Sequence, residues 1–214
     1  MKTMKMLIGS LILLAAAGVQ TMRAEEAATV VRYNAQPTGS KIKMEGTSTI
    51  HDWTMESALA GGFMEVDGDF PASALTNAQV AKPNVQVMIP VRSFKSYATK
   101  MDEVMQEHMN AAKFPRIEYR LIELKPKSAV GATGALQFDA VGAMTVSGTT
   151  RTNTMPVTIE PVEGGKLKVS GSTPLKMTDF GVQPPAPSIL GMAVIKTGDD
   201  IKISFEWLTA RKTQ

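Results

Sequence analysis

The sequence predicts an all-β fold of about eight antiparallel strands, on two observations. From Thr29 onward, apolar and polar residues alternate with a period of two, and the apolar positions are rich in β-branched side chains. Gly, Asn, Asp and Pro interrupt this alternation at short intervals. Strands with one apolar face pack either as a sandwich or as a closed barrel, and the pattern alone does not choose between them.

Eight segments carry the alternation. Pro90 predicts a strand end or an edge position, because proline cannot donate to a β-ladder. Gly142, in the middle of the longest segment, predicts a bend or a bulge. The predicted strands lie at residues 42–50, 63–70, 85–91, 117–122, 136–146, 157–159, 167–169 and 201–207.

One short helix, at about residues 99–112, interrupts the strands. Met101, Met105 and Met109 recur there at helical spacing, and Asp102 lies in the first turn, where the helix dipole favours negative charge. Phe114-Pro115 ends the helix. A second irregular stretch, 181–187, has three prolines in four residues, which predicts a stiff, extended connection.

Composition indicates one globular domain, at residues 25–214. The chain has 214 residues, of which 43% are hydrophobic and 20% are charged, and it contains no cysteine. Disulfides, thiolate metal sites and cysteine nucleophiles are therefore excluded. Two histidines argue against a histidine-built zinc site, so no metal and no cofactor are expected.

Residues 1–24 have the pattern of a secretory signal peptide. Lys2 and Lys5 precede an apolar run from Leu7 to Val19, and Ala24 is a small residue suited to cleavage. The run is shorter than the roughly 20 residues that a membrane-spanning helix requires, so no stable membrane insertion is expected. The predicted location is the periplasm, with secretion as the alternative.

The excess positive charge belongs to this first segment. The whole chain has 23 basic and 20 acidic residues, and Lys2, Lys5 and Arg23 account for the difference. The remainder is neutral and lacks the basic footprint that nucleic-acid binding requires, so no nucleic-acid partner is expected.

Three motifs, in order, resemble the YceI-like family. They are Thr49-Ile50-His51-Asp52-Trp53, the run 108–119 (HMNAAKFPRIEY), and the run 142–151 (GAMTVSGTTR) that leads into Pro156-Val157-Thr158-Ile159. The resemblance implies an exported protein with a lipocalin-like, eight-stranded antiparallel barrel. It also implies a carrier with no catalytic residues that binds a polyisoprenoid, an isoprenoid quinone or a similar long-chain lipid inside the barrel.

Strand parity and the resemblance together select the candidate ligand-binding residues. His108 is the leading polar group at the mouth, with His51 second, and the methionine-bearing helix is predicted to form a wall or lid. The predicted set is Trp53, Val87, Ile89, Phe94, Met105, His108, Met109, Phe114, Ile117, Tyr119, Phe138, Met144 and Phe205.

Two other functions stay open on the sequence. The first is a structural or interaction barrel, filled by its own side chains, with no ligand. The second is a hydrolase that uses His51 or His108, although neither histidine is accompanied by a recognisable nucleophile motif. The sequence also leaves the oligomeric state open, with a homodimer as one option.

Overall fold

The computed structural model describes residues 29–68, 70–71, 83–130, 134–186, 188–189 and 193–212. The predicted signal peptide, residues 1–24, lies outside the described residues, and so does Pro187 of the proline-rich stretch. Among the described residues, no helix combines the length and apolar character needed to cross a bilayer.

Antiparallel strands make up most of the described chain. Ten of them form one sheet, and a separate hairpin consists of two short strands, β10 and β11. The strands are β1 (Val30–Ala35), β2 (Lys41–Ser48), β3 (Trp53–Ser57), β4 (Gly61–Asp67), β5 (Asn84–Pro90), β6 (Arg116–Val130), β7 (Ala135–Val146), β8 (Thr149–Val162), β9 (Lys166–Lys176), β10 (Ser188–Ile189), β11 (Ala193–Val194) and β12 (Thr197–Arg211).

Eight of these strands close into a barrel, which settles the choice between sandwich and barrel. The ring runs β1-β4-β5-β6-β7-β8-β9-β12 and returns to β1. Strand β12 makes the closure: it pairs with β9 along one edge, and along the other edge it pairs first with β2 and then with β1. The β2–β3 hairpin therefore extends the sheet beside the ring.

The prediction of eight segments identified the right kind of fold but missed one strand of the ring. No segment was assigned to β1, although Val31 is buried and β1 pairs with both β4 and β12. Strands β6, β8, β9 and β12 are also longer than their apolar segments, because their ends carry polar residues that still pair with neighbouring strands.

The predicted helix is confirmed as α1 (Thr99–His108). It ends four residues before the predicted boundary, because Asn110 adopts a left-handed conformation with φ of 50° and stops the helical run. At its start, Asp102 accepts hydrogen bonds from the Ser96 backbone N–H at 2.7 Å and from Ser96 Oγ at 2.8 Å. This carboxylate ties α1 to the segment that precedes it.

Gly142 lies opposite the bulge in the β6–β7 ladder, where Leu121 pairs with Gly142 and Glu123 pairs with Val141. The β7–β8 ladder runs through Gly142 in register, and the irregularity lies on the neighbouring strand β6, between Leu121 and Glu123. At Pro90 the prediction of a strand end is confirmed, because β5 stops there and a short 3₁₀ turn, Val91–Ser93, follows.

Candidate functional site

An apolar cavity occupies the interior of the barrel. Its volume is about 120 Å³, counted as space that the centre of a water molecule could occupy. One water position needs roughly 10–15 Å³ on that measure, so the hollow exceeds an ordinary packing defect several-fold. Its walls come from residues on β2, β4–β9 and β12, together with Ala60.

The cavity wall follows from strand parity. Side chains alternate between the two faces of a strand, so residues two apart on β5, β6, β7, β8 and β12 all point inward. The lining residues are Ile42, Ala60, Met64, Val85, Val87, Ile89, Ile117, Tyr119, Leu121, Leu124, Ala140, Met144, Met155, Val157, Ile159, Val169, Thr173, Ile203, Phe205 and Trp207. None of these residues carries a formal charge at neutral pH.

Part of the interior is packed solid. Phe138 is 0% exposed, and its ring lies 6.0 Å from that of Phe70 in a stacked arrangement. Farther along β7, Ala140 and Met144 line the cavity. The cavity therefore reaches from the level of Ile159, opposite Leu136, to that of Met144, toward the end of the barrel where β7 ends and β8 begins.

Three segments meet at that same end. Ser147 Oγ, in the β7–β8 turn, donates to the Met109 carbonyl after α1 at 2.7 Å. His108 Nδ1 lies 2.9 Å from the Gln183 carbonyl oxygen, and Arg151 Nε donates to the Asp179 carbonyl at 2.7 Å. The end of α1, the turn and residues 179–183 thus form a rim beside the cavity.

Few polar side chains belong to the cavity wall. The Trp207 indole N–H donates to the Ala60 carbonyl at 3.3 Å, and Thr173 Oγ1 donates to the Pro174 carbonyl at 3.4 Å. The Tyr119 ring also lines the cavity, but its hydroxyl is buried and has no hydrogen-bond partner within the described part of the chain. Burial raises the pKa of Tyr119 to about 12.

A second unpartnered polar group lies on the same inner face. Asn153, on β8, shares its parity with Met155 and Val157, which line the cavity. Both its side-chain oxygen and its nitrogen are buried without a hydrogen-bond partner among the described residues. Asn153 stands directly opposite Gly142 on β7.

Six of the thirteen predicted ligand-binding residues line the cavity. They are Val87, Ile89, Ile117, Tyr119, Met144 and Phe205. All six were selected because they lie on the apolar face of a strand, and the structure brings those faces together around one space. That they contact a ligand remains a prediction.

Four predicted residues are packed elsewhere. Trp53 lies on β3, outside the ring, where its ring covers Gly46 and its N–H donates to the Thr47 carbonyl at 3.1 Å. The Phe114 ring covers Gly148 in the β7–β8 turn. Phe94 is 1% exposed within the main core, and Phe138 belongs to the solid part of the interior.

The helix residues lie on the rim and not in the cavity wall. Met109 packs in a small cluster with Val91 and Ala111, and Met105 contacts both this cluster and the main core. His108 contacts the Gln183 carbonyl. The helix therefore does not line the cavity in this structure.

Neither histidine is arranged with a nucleophile. His51 Nδ1 lies 2.7 Å from the backbone carbonyl of Asp52, so the adjacent carboxylate is not its partner. Ser48 Oγ donates to the backbone carbonyl of His51 and makes no contact with the ring. In the described ranges, no three His, Asp or Glu side chains are grouped closely enough to hold a metal ion.

Fourteen lining residues were absent from the predicted set. Ile42, Val85, Ile203 and Trp207 lie on apolar faces that the alternation already identified, so parity alone would have found them. Leu124 could not be assigned to the wall without knowledge of the bulge between Leu121 and Glu123, because the bulge shifts the inward-facing positions from odd to even residues. Asn153, which lies on the same inner face but is not one of the lining residues, was also missed, because it sits in the polar run before Met155, where no strand was predicted.

A closed antiparallel barrel with an apolar internal cavity is the architecture of the lipocalin-like ligand-binding barrels. The chain belongs to the YceI-like domain family, whose model matches residues 33–208. It is similar to a UPF0312 protein of Pseudomonas fluorescens, with 26% identity over 69% of this chain and 78% of that protein. It is also 26% identical to a UPF0312 protein of Pseudomonas savastanoi pv. phaseolicola, over 77% of this chain and 83% of the relative.

Solved structures share the fold at low sequence identity. A polyisoprenoid binding domain from Saccharophagus degradans, implicated in plant cell wall breakdown, superposes with a TM-score of 0.63 at 9% identity, over 84% of this chain and 98% of that one. BcnA of Burkholderia cenocepacia has a TM-score of 0.59 at 18% identity, over 79% and 95%. The YceI protein of Campylobacter jejuni has a TM-score of 0.51 at 15% identity, over 75% and 85%.

Proposed function

We propose that this protein is a non-enzymatic carrier that binds a polyisoprenoid, an isoprenoid quinone or a similar long-chain lipid inside its barrel. The observation that carries the proposal is the internal cavity, whose wall is built from aliphatic, methionine and aromatic side chains and contains no charged residue. The structural similarity to a polyisoprenoid binding domain supports the same function.

Burial of apolar surface supplies the binding energy. Each CH₂ group transferred out of water contributes about 0.8 kcal/mol, so a twenty-carbon tail offers on the order of 16 kcal/mol before costs. Ordering the tail and the side chains around it offsets much of this gain. Met64, Met144 and Met155 are in the wall, and their unbranched thioether side chains adapt to a flexible tail.

The same wall argues against a charged ligand group inside the barrel. Burying an ionised group without a compensating partner costs far more than one hydrogen bond returns. The tail is therefore the part that the cavity encloses, and an ionic group would stay at the rim. The rim contains Arg151, whose side chain is exposed.

The proposed location is the periplasm, or outside the cell if the protein is secreted. The support is the pattern of residues 1–24, with its basic start, apolar run and small residue at Ala24. A lipid tail needs shielding in either compartment, because it does not dissolve in water. The neutral balance of residues 25–214 gives no support to a nucleic-acid partner.

The decisive experiment identifies what the barrel holds. Protein purified gently from its host is examined by native mass spectrometry, and the lipids extracted from it are identified by their mass. A co-purifying neutral lipid of long chain is expected. Repeated isolation of protein with no bound mass would favour a structural barrel without a ligand.

Tryptophan fluorescence gives an independent test in vitro. Trp207 lines the cavity, whereas Trp53 lies outside it. In a Trp53→Phe variant, a ubiquinone with two isoprene units is expected to quench the remaining Trp207 emission in a saturable manner. The matched control is Trp207→Phe, which keeps only Trp53 and should show much weaker quenching; equal quenching in both variants would contradict binding in the cavity.

A further inference from the structure

Two side chains on the inner face of the barrel have buried polar atoms that make no hydrogen bond with the described part of the chain. The Tyr119 hydroxyl and the Asn153 amide are both closed off from water and lack a hydrogen-bond partner within the described residues. A buried polar group without a hydrogen-bond partner destabilises the folded state, so native proteins rarely keep one without a reason. Here two such groups lie on the inner face of the barrel, one on β6 and the other on β8.

The strand register places them side by side. Tyr119 on β6 pairs with Met144 on β7, so Gly142 is its diagonal neighbour. A Cβ atom built on Gly142 would come within 2.2 Å of the Tyr119 hydroxyl oxygen. Asn153 faces Gly142 from the other side, and directly opposite residues have Cβ positions about 5 Å apart. The missing side chain at residue 142 thus lets the phenol reach across β7 toward Asn153.

Their surroundings permit a ligand atom to reach them. Met144 lies directly opposite Tyr119, and Met155 is two residues from Asn153 on the same face. Both methionines line the cavity. Flexible thioether side chains move at low cost, so a group that enters the cavity has access to the two polar side chains after a local rearrangement.

We propose that Tyr119 and Asn153 form a polar subsite that binds a neutral oxygen-bearing group, a carbonyl or a hydroxyl, at the end of the lipid. The phenol O–H and the amide N–H₂ both donate, which suits a carbonyl acceptor, and the amide oxygen also accepts from a hydroxyl. Among the described residues, the cavity wall has no cationic side chain to neutralise a phosphate or carboxylate. The ligands selected are therefore uncharged isoprenoid quinones, phenols or alcohols, in preference to isoprenoid phosphates.

This inference rests on the proposed lipid-binding function, and its test separates the two. Phytanol, phytane and phytanyl phosphate share one C20 isoprenoid skeleton and differ only at the end group. Each is measured by competition against the ubiquinone that quenches Trp207. If none of the three lipids competes, the carrier proposal itself fails. Competition by phytane, which has no polar end group, is sufficient to establish that the cavity binds the tail.

The wild-type protein is expected to bind phytanol about tenfold more tightly than phytane, the gain that one or two hydrogen bonds provide. Phytanyl phosphate is expected to compete more weakly than phytanol. Tyr119→Phe and Asn153→Leu should each weaken the binding of phytanol several-fold and leave the affinity for phytane unchanged. Tyr33→Phe is the matched control, because Tyr33 packs against the core but does not line the cavity, and it should change neither affinity.

Three results would overturn the subsite. They are equal binding of phytanol and phytane by the wild-type protein, equal losses for both lipids in Tyr119→Phe, and tighter binding of the phosphate than of the alcohol. A fourth measurement needs no ligand. If Tyr119→Phe lowers the melting temperature of lipid-free protein, the hydroxyl already has a partner such as an internal water, and the proposal fails; an unchanged or raised melting temperature is expected.

Discussion

The Tyr119 ring occupies the space that a side chain at residue 142 would need. A Cβ on Gly142 would lie 2.2 Å from Cζ and from the hydroxyl oxygen of Tyr119. Gly142 is buried between β6 and β8, with Leu121 opposite it on one side and Asn153 on the other, so an added side chain would have to displace the Tyr119 ring.

Gly142→Ala should therefore destabilise the protein by about 1–3 kcal/mol, the usual cost of overpacking a buried site. Urea denaturation measures the change. Gly61→Ala is the matched control in another strand, where the nearest atom to the added Cβ is 3.7 Å away, and it should cost less than about 0.5 kcal/mol. In a Tyr119→Ala background the Gly142→Ala penalty should shrink; an undiminished penalty would show that the ring is not the obstacle.

The buried phenol should make the barrel sensitive to alkali. Tyr119 loses its proton near pH 10 when unfolded, whereas burial raises its folded pKa to about 12. The unfolded state therefore releases the proton first, and this contribution to the free energy of unfolding is complete below pH 10 and is lost as pH rises toward 12. Allowing for partial screening, the loss is about 1–2 kcal/mol.

The free energy of unfolding of Tyr119→Phe should fall less steeply than that of the wild type as the pH rises from 10 toward 12. The measurement compares urea denaturation of wild type and variant at pH 9 and at pH 11.5. Titrations common to both proteins cancel in the difference, so parallel curves would contradict the assignment of this effect to Tyr119.

Enlarging a cavity residue should fill the hollow without straining the barrel. Ala140 lines the cavity, so Ala140→Leu adds apolar volume to empty space and should keep or slightly raise stability, while weakening lipid binding about tenfold or more. Ala111 is equally buried but belongs to the packed cluster with Val91 and Met109. Ala111→Leu should cost about 1–3 kcal/mol, and an equal cost at both sites would mean that the barrel interior is not hollow at Ala140.

Asp102 should be important for the start of α1. It is 7% exposed and accepts two hydrogen bonds from Ser96, with Lys95 Nζ at 3.5 Å. Burial alone would raise its pKa, but these bonds and the lysine outweigh burial and lower it. Its contribution to stability is therefore present above the ordinary aspartate pKa and is lost as pH falls through the lowered value.

Asp102→Asn should destabilise the protein by about 1–3 kcal/mol at pH 7, and by less at pH 3, as measured by urea denaturation. Glu103→Gln is the matched control, because its 60% exposed side chain pairs only with Lys100 on the surface. A loss for Glu103→Gln as large as that for Asp102→Asn would point to general helix charge and not to the Ser96 contacts.

Parity identified part of the cavity wall. Val87, Ile117 and Phe205 could be assigned from alternation because a two-residue period survives wherever a strand is regular. The bulge after Leu121 breaks that period, so Leu124 could not be placed from its spacing. Strand order was also beyond the pattern, and Trp53 was assigned to the wall because nothing in its local sequence shows that β3 lies outside the ring.

Polar residues on an inner face were harder to predict from the sequence than apolar ones. Asn153 lies in a stretch of Thr, Asn and Arg that is typical of a solvent-exposed segment, and only the structure shows that its side-chain oxygen and nitrogen are buried. Phe94, Phe114 and Met109 were selected from strand parity and the family resemblance. The structure instead places Phe94 in the main core, the Phe114 ring against Gly148, and Met109 in the small cluster with Val91 and Ala111. Residue size and hydrophobicity alone do not distinguish such packing from contact with a guest.

The pairing of Tyr33 with Arg211 joins the first described strand to the last. Until β12 is in place, β1 has no partner on that side, and β9 and β2 likewise lack theirs. Closure of the barrel thus requires β12. A chain shortened before residue 197 would form an open sheet with exposed edges. The unpaired backbone groups along those edges would make such a fragment prone to edge-to-edge aggregation.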